Sequence, residues 1–483
     1  MAKCKLVLIF FSLIINNLYS QSKYPEKDFI SPVRIPIALA GTFGELRSDH
    51  FHSGIDIKTN SVEGHEIMAV ADGWISRIKI SPNGYGKAIY INHPNGYTSV
   101  YAHLKCFNDS IEQFVRRIQY EKESFAVDIS IDKDLISLVQ GEVFAYGGNS
   151  GGSSGPHLHF EIRNTKTQRP INPLLFGYQV ADSKSPTVKG IQIVPLSANS
   201  FINGMHSNYK PKMGLNSKTG EPEFSVDTIR VQGKFGISIS TYDQLNGAPN
   251  KNGIYKIKLF KDDSLVYSHN VESFSFAQSR YINSLIDYPE YIESKQRYQR
   301  SWIEPGNDLD IYENVVGNGI QFNVDSIVHW YRYEVLDYSG NVSRVKIPVL
   351  LDTNSYMPVT AKRDLNSHYD YFDYRKPNHF KDENLQLSIP AKALYDNILF
   401  EYSSSDSMFN DFSKLYHIHK NEIPVHKRMV LSIVPDSIPE KLKDKIQFVR
   451  IQKDDTLFCG GTWKSDRFVT KVRNFGDYFL NVD

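Results

Sequence analysis

Short apolar runs of strand length, each closed by a turn signal, recur from about residue 40 to the C-terminus, and they narrow the possible folds more than any other feature. Ile67-Met-Ala-Val70, Ala88-Ile-Tyr-Ile-Asn92, Tyr97-Thr-Ser-Val-Tyr-Ala102, Leu158-His-Phe-Glu-Ile162, Ile254-Tyr-Lys-Ile-Lys-Leu-Phe260 and Trp330-Tyr-Arg-Tyr-Glu-Val-Leu336 are examples. Apolar residues stand scattered among polar ones, and 29 Tyr and 28 Phe add side chains that suit a pleated, half-buried surface. The chain reads as all-β. Its 483 residues exceed a single core, so about two to four domains are expected.

The N-terminus places Lys3 and Lys5 before an apolar run, Leu6 to Ile14, with a polar exit near Ser20-Gln21. This is the pattern of a secretory signal peptide over residues 1–20. The run is far short of the roughly 20 apolar residues that cross a bilayer, so no transmembrane segment is expected in the mature chain. Cys4 precedes the run, where a lipoprotein would carry its cysteine after it. The expected location is across the inner membrane, in a bacterial periplasm or cell envelope. Formal net charge is +1 and turns slightly negative without the leader, which excludes a basic field for nucleic acid. Cys106 and Cys459 would remain, too few and too scattered for a disulfide framework.

After a lead-in over 21–40 that holds Pro25, Pro32 and Pro36 and is expected to wrap the next domain, the text from 41 to 178 predicts a small antiparallel sheet domain. His93-Pro-Asn-Gly-Tyr97 reads as a tight hairpin in which Asn-Gly supplies positive φ angles. Within an insertion over about 105–140, Ser110 to Glu123 sets Ile111, Phe114, Val115 and Ile118 on one helical face. The polar stretch Val180 to Thr187 marks a boundary. Residues 183–352 then predict an immunoglobulin-like β-sandwich whose last hairpin turns at Asp337-Tyr-Ser-Gly-Asn341. Residues 357–483 predict a β-rich C-terminal module, in which Lys453-Asp-Asp-Thr-Leu457 echoes the hairpin text Lys261-Asp-Asp-Ser-Leu265. The chain's last residues, Phe479 to Asp483, read like the approach to a linker, so a further module is expected to be absent from this chain.

Chemistry concentrates in the first domain. His52 and Asp56, four apart in His-Ser-Gly-Ile-Asp, would share one face of an extended strand. His157 and His159 are a second same-face pair, preceded by the small-residue loop Gly151-Gly-Ser-Ser-Gly-Pro156, which allows close approach of substrate. His103 closes the strand text Tyr101-Ala-His-Leu104. A catalytic zinc typically takes three protein ligands and leaves one position open, so five such groups divide into three ligands and two neighbours. His50, His65 and His93 read as structural or solvent-facing histidines.

These motifs, in order with Phe43-Gly-Glu-Leu-Arg47, Val70-Ala-Asp-Gly73, Gly84-Tyr-Gly86, Gly148-Asn-Ser-Gly151, Gly155-Pro-His-Leu-His-Phe-Glu161 and Ile171-Asn-Pro173, resemble the lysostaphin- and LytM-type zinc metallopeptidases, the peptidoglycan DD-metallopeptidase family. The likeness covers roughly a third of the chain. It implies one Zn2+ bound by His52, Asp56 and His159, with His103 and His157 as catalytic residues; Arg47 reads either as orienting a ligand or a substrate carboxylate or as a structural salt bridge. It further implies a secreted zinc endopeptidase that hydrolyses peptidoglycan stems or cross-bridges in cell-wall remodelling. The alternatives are a non-catalytic wall-binding or amidase-activating factor of the same fold, and an extracellular peptidase acting on glycine-rich peptides. The 105–140 insertion departs from the family pattern, and its helix is expected to border the cleft. The later β-modules are expected to position the enzyme, or to bind wall polymer or an envelope protein.

Overall fold

The computed structural model describes residues 23–133, 135–216, 223–358, 367–406, 412–452 and 455–482, so the leader lies outside the described residues. Its first antiparallel sheet runs in the order Leu39–Gly41, Ile55–Lys58, His157–Asn164, Tyr97–Ala102, Lys87–Asn92, Gly73–Ile80 and Val127–Ser130. A smaller sheet of Glu66–Met68, Val143–Gly147 and Leu104–Phe107 accompanies it. The strand His157–Asn164 shows why a site forms here. Leu158, Phe160 and Ile162 fill the core from one face, while His159, Glu161 and Arg163 on the other face are buried as well. A buried polar face must satisfy its own hydrogen bonds, and that requirement organises everything above it.

The hairpin at 93–97 forms as expected, but among its residues only Gly96 takes a positive φ, 86°. The turn therefore needs one left-handed residue rather than two, as in hairpins whose turn ends in a left-handed glycine. The lead-in wraps the domain: Phe29, Val33 and Leu39 enter its core. The inserted helix spans Asp109–Glu121, capped by Asn108, whose side chain accepts from the Ile111 N–H at 3.1 Å, and it buries Ile111 and Val115. No helix among the described residues is long and apolar enough to cross a membrane.

Two further pairs of sheets follow. In the second module, Thr187–Pro195, Phe235–Tyr242 and Gln299–Arg300 face a larger sheet that contains Lys256–Lys261, His329–Leu336 and Val342–Leu351. Ile191, Ile237 and Ile239 from one sheet meet Ile257, Tyr331, Tyr333 and Val345 from the other, which makes a β-sandwich. That larger sheet is mixed, because Ile229–Gln232 runs parallel to Val342–Leu351. In the third module the sheet containing Ile398–Ser405 and Gly476–Val482 packs on the sheet containing Pro424–Ile433 and Arg467–Asn474 around Phe400, Leu431 and Phe448. The sequence echo falls on a hairpin both times. Asp262 and Asp263, φ 47° and 64°, make the first turn. In the second, Gln452 pairs with Asp455, one residue out of step with the first, and Lys453 and Asp454 lie outside the described residues. Cys106 and Cys459 are free and belong to different modules.

The modules are fused through a segment of the second one. Val271, Phe274, Ile282 and Leu285 belong to the core of the first domain, joined by Tyr395 from the third. Phe274 sits against both Phe43 and Phe51, with ring centroids 5.3 Å apart in each case. Full burial of one such ring contributes about 1.5–3 kcal/mol. Gly44, at φ 72°, leaves no room for a side chain, since a Cβ there would lie 2.2 Å from Val271. The Phe51 N–H donates to Ser279 Oγ at 2.8 Å, and Arg280 bonds Asp49 at 2.8 Å.

Candidate metal and active site

Strand register brings the chemistry together. His159 lies directly opposite Asp56 on one side and Ala102 on the other, so His103 projects from the next position. His103 adopts φ 59°, a left-handed conformation that a non-glycine residue holds only when its surroundings enforce it. His52 departs from the spacing argument: it lies in the loop before Ile55–Lys58 rather than in the strand. Its ring is placed instead by Nδ1, 2.8 Å from the Thr42 carbonyl oxygen.

His52 Nε2, Asp56 Oδ1 and His159 Nδ1 form a triangle with sides of 3.0, 3.0 and 2.9 Å. The hydrogen-bond network decides which nitrogens carry protons. His52 Nδ1 donates to Thr42, and His159 Nε2 donates to Glu161 Oε1 at 2.8 Å. In neutral imidazoles the opposite nitrogens then present bare lone pairs, so three electron pairs converge with no proton between them. A cation at the centre removes that repulsion, and each outer bond fixes a ligand as metal sites require. The sides approach the roughly 3.3 Å edge of a tetrahedron with bonds of about 2.05 Å. The surroundings favour positive charge: burial lowers the pKa of His159, but its hydrogen bonds to the Asp56 and Glu161 carboxylates outweigh it and raise the ring to about 9, so without a cation a proton takes the place a metal would fill. Although burial opposes it, the neighbouring His52, His157 and His159 rings hold Asp56 well below the usual carboxylate range. The residues present therefore fit a metal ion.

Glu161 received no role from its sequence motif, yet it anchors the site. It is wholly buried and accepts from His159, from Ser53 Oγ at 2.7 Å, from Tyr85 OH and from Arg163 Nε at 2.6 Å. Tyr85 also stacks on the His159 ring, with centroids 5.1 Å apart. The two-residue period from His157 through His159 and Glu161 to Arg163 was the available signal. Arg47 Nη2 bonds Asp56 Oδ2 at 3.1 Å, so it holds the candidate ligand from outside, and Gly41 makes room for that pair. His103 and His157 each place Nδ1 2.8 Å from a backbone carbonyl oxygen, of Ser150 and Gly155. Their rings lie 4.8 Å apart, and His157 Nε2 reaches to 3.5 Å from Asp56. Burial pushes His103 down to about 4, which keeps it neutral.

The sequence pattern of peptidase family M23 matches residues 50–120, the span that holds His52, Asp56 and His103. The domain belongs to peptidase family M23. Over 129 residues the chain is 34% identical to the DD-carboxypeptidase/endopeptidase Mpg of Neisseria meningitidis serogroup B, covering 27% of this chain and 23% of that protein. It is 25% identical over 141 residues to the cell division protein DipM of Caulobacter vibrioides, covering 28% of this chain and 19% of that one. This chain thus spans about a quarter or less of these relatives' length. The catalytic domain of lysostaphin from Staphylococcus simulans is similar at 20% identity and a TM-score of 0.22, over 30% of this chain and 93% of that one. The Zu5-like domain pattern matches residues 369–483, a module that carries no motif recognisable in the sequence alone.

The M23 site opens into a cleft of about 660 Å³. The inserted helix was expected to border it, but contributes none of the described lining residues; its apolar stripe holds it against the outside of the domain. Phe276 and Ser279 of the second module stand there instead. Phe276 covers the Arg163 guanidinium, 4.6 Å from its ring centroid. Beyond His50, Phe276 and Ser279 the cleft continues into a recess of about 730 Å³. There Arg280, Lys427, Arg428, Lys471 and Arg473 face the single carboxylate of Asp49. His50 reaches the cleft but turns to Asp49, 2.9 Å away. His65 bonds the Thr59 carbonyl oxygen, and His93 bonds Asp72 and Ser99.

Proposed function

We propose that the protein is a secreted zinc metalloendopeptidase that hydrolyses peptide bonds in peptidoglycan stems or cross-bridges. The observation that carries this reading is the convergence of one ligand atom each from His52, Asp56 and His159 beside two further imidazoles. These three residues would hold zinc, and bound zinc would polarise the scissile carbonyl and acidify a water molecule. His103 and His157 donate through Nδ1 to backbone carbonyls, so the neutral form of either ring leaves Nε2 bare on the cleft side. Either nitrogen can accept a proton from an attacking water, and the ring so charged can donate a hydrogen bond to an oxyanion. Arg47 and Glu161 would keep Asp56 and His159 aimed. The basic recess suits the carboxylates of a peptide strand extending from the cut bond, and the Neisseria relative's name, a DD-carboxypeptidase/endopeptidase, supports a peptide substrate.

In this reading residues 1–20 direct export to the envelope. The domain covers 41–178, and the modules 183–352 and 357–483 position it or bind wall polymer. A non-catalytic role, which a relative named for cell division brings to mind, would leave the two Nε2 groups without purpose.

The test incubates residues 21–483 with purified peptidoglycan before and after zinc removal, with mass spectrometry of the soluble products. New amino termini within stem or bridge peptides, lost with a chelator and restored by zinc, are expected. Products that survive zinc removal unchanged would overturn the metal's role.

A further inference from the structure

Away from the M23 site, three carboxylates meet where the first two modules join. Asp182 lies on the segment leaving the M23 domain, Asp243 follows the strand Phe235–Tyr242, and Asp337 opens the turn between His329–Leu336 and Val342–Leu351. One oxygen from each lies within 4.8 Å of the others. Asp243 and Asp337 are only 2% and 4% exposed. Asn341 serves Asp337, donating its backbone N–H at 2.9 Å and its side-chain amide at 2.8 Å. Asp243 Oδ1 has no hydrogen-bond partner. Lys184, whose charge eases Asp243, donates its ammonium to the Leu245 carbonyl oxygen instead.

A second, separate feature points the same way. Asn252 is 3% exposed, and neither its Oδ1 nor its Nδ2 finds a partner. Asp243 and Asn252 exchange both backbone hydrogen bonds, at 3.0 and 2.8 Å, which makes them a directly opposed antiparallel pair. Opposed residues project to the same face, so the unpartnered Asn252 amide leaves the strand pair on the side of the Asp243 carboxyl. Desolvated like charges next to an unpaired amide are costly unless something positive lies among them.

We propose that Asp182, Asp243 and Asp337, with the Asn252 amide oxygen, form a site for a divalent cation of the calcium type that pins the M23 domain to the second module. The donors are all oxygen, the preference of hard cations and not of zinc. Bonds of 2.3–2.6 Å put oxygens on opposite sides of calcium about 4.6–5.2 Å apart, which this spread accommodates. The site sits on the seam itself. Tyr338, next to Asp337, donates its hydroxyl to the Leu174 carbonyl oxygen of the M23 domain at 2.6 Å. The same module supplies Phe276 and Ser279 to the cleft, so occupancy would stiffen one wall of the active site.

The experiment uses the zinc-loaded chain 21–483 and reads binding and unfolding rather than hydrolysis, so it stands apart from the peptidase reading. Terbium(III) serves as a luminescent stand-in for calcium, sensitised by Tyr255 and Tyr338, which line the cavity beside Asp182 and Asp243. Saturable one-to-one emission, displaced by calcium, is expected from the wild type. Asp243→Asn and Asp337→Asn should each weaken it at least tenfold. Calcium should raise the wild-type Tm by at least about 3 °C. In calcium-free buffer Asp243→Asn, which removes one of the crowded charges, should melt above the wild type, and in calcium below it. A merely structural carboxylate would not reverse sign. Asp182→Asn, at the half-buried position, repeats the binding measurement if either other variant fails to fold. Absence of both emission and a calcium-dependent Tm shift at millimolar calcium overturns the proposal. So does equal binding by wild type and variants.

Discussion

The metal-site face of the cleft is built from neighbouring strands of one sheet, whereas the opposite face comes from residues 274–281 of the next module. On the first face, His159 and Asp56 meet because two strands pair in one register, and His103 follows from the next strand over. On the second, Phe276 and Ser279 reach the cleft only because Phe274 is held between Phe43 and Phe51. Chemistry is thus encoded by residue type and short-range pairing, while access to it is encoded by the docking of modules. Four perturbations break or sharpen that contrast.

The largest concerns the docking. Phe274→Ala should cost about 3–5 kcal/mol in chemical denaturation, the usual loss for a buried aromatic ring. A loss below about 1 kcal/mol would mean that the second module is only tethered to the M23 domain. On the metal-site face, Glu161→Gln keeps the shape but removes the charge that orients His159. Zinc affinity, measured by competition with a chelating dye, should fall about 10- to 100-fold. Unchanged affinity would show that Glu161 serves folding alone.

A smaller effect belongs to the seam with the third module, where His426 stacks on Tyr281, with centroids 4.2 Å apart. Burial first, and then the charges of Arg280, Lys427 and Arg473, hold His426 down to about 4. An unfolded histidine titrates near 6.5, so unfolding takes up a proton as pH falls from about 6.5 to about 4. The stability present above that window is lost across it, on the order of 1 kcal/mol after allowing for solvent screening. His426→Gln should flatten that part of the pH profile, and an unaltered slope would remove the histidine from the account. The smallest effect is expected in the recess. Lys471→Gln with Arg473→Gln should raise KM a few-fold and leave kcat unchanged, most visibly at low salt, as for exposed charges worth about 0.2–1 kcal/mol each. A change in kcat alone would place these residues nearer the reaction than the recess lies.

The same contrast explains what the sequence disclosed. The all-β architecture, the inserted helix and the grouping of His52, Asp56, His103, His157 and His159 follow from residue types and short spacings. The helix stripe of Ile111 and Val115 predicts that a helix exists but not which surface it covers, and it lies away from the cleft. His52 reaches the site through a loop and the Thr42 carbonyl, so the strand-face argument found the right residue for a geometry it does not have. Glu161 stood in view within the motif. Its role depends on burial and on Ser53, Tyr85 and Arg163 arriving from elsewhere, which spacing does not convey. Phe276 carries no local signal at all. An exposed phenylalanine in a turn becomes a cleft wall only through tertiary docking.

The central claim is tested most directly by comparing wild type and His157→Ala on purified peptidoglycan at equal, measured zinc occupancy, with new amino termini counted by mass spectrometry. The account predicts that both proteins carry one zinc per chain and that only the wild type releases peptides with new termini in stems or bridges, the variant falling by at least about 100-fold. Identical fragments from both proteins, or none from a fully zinc-loaded wild type, would contradict it.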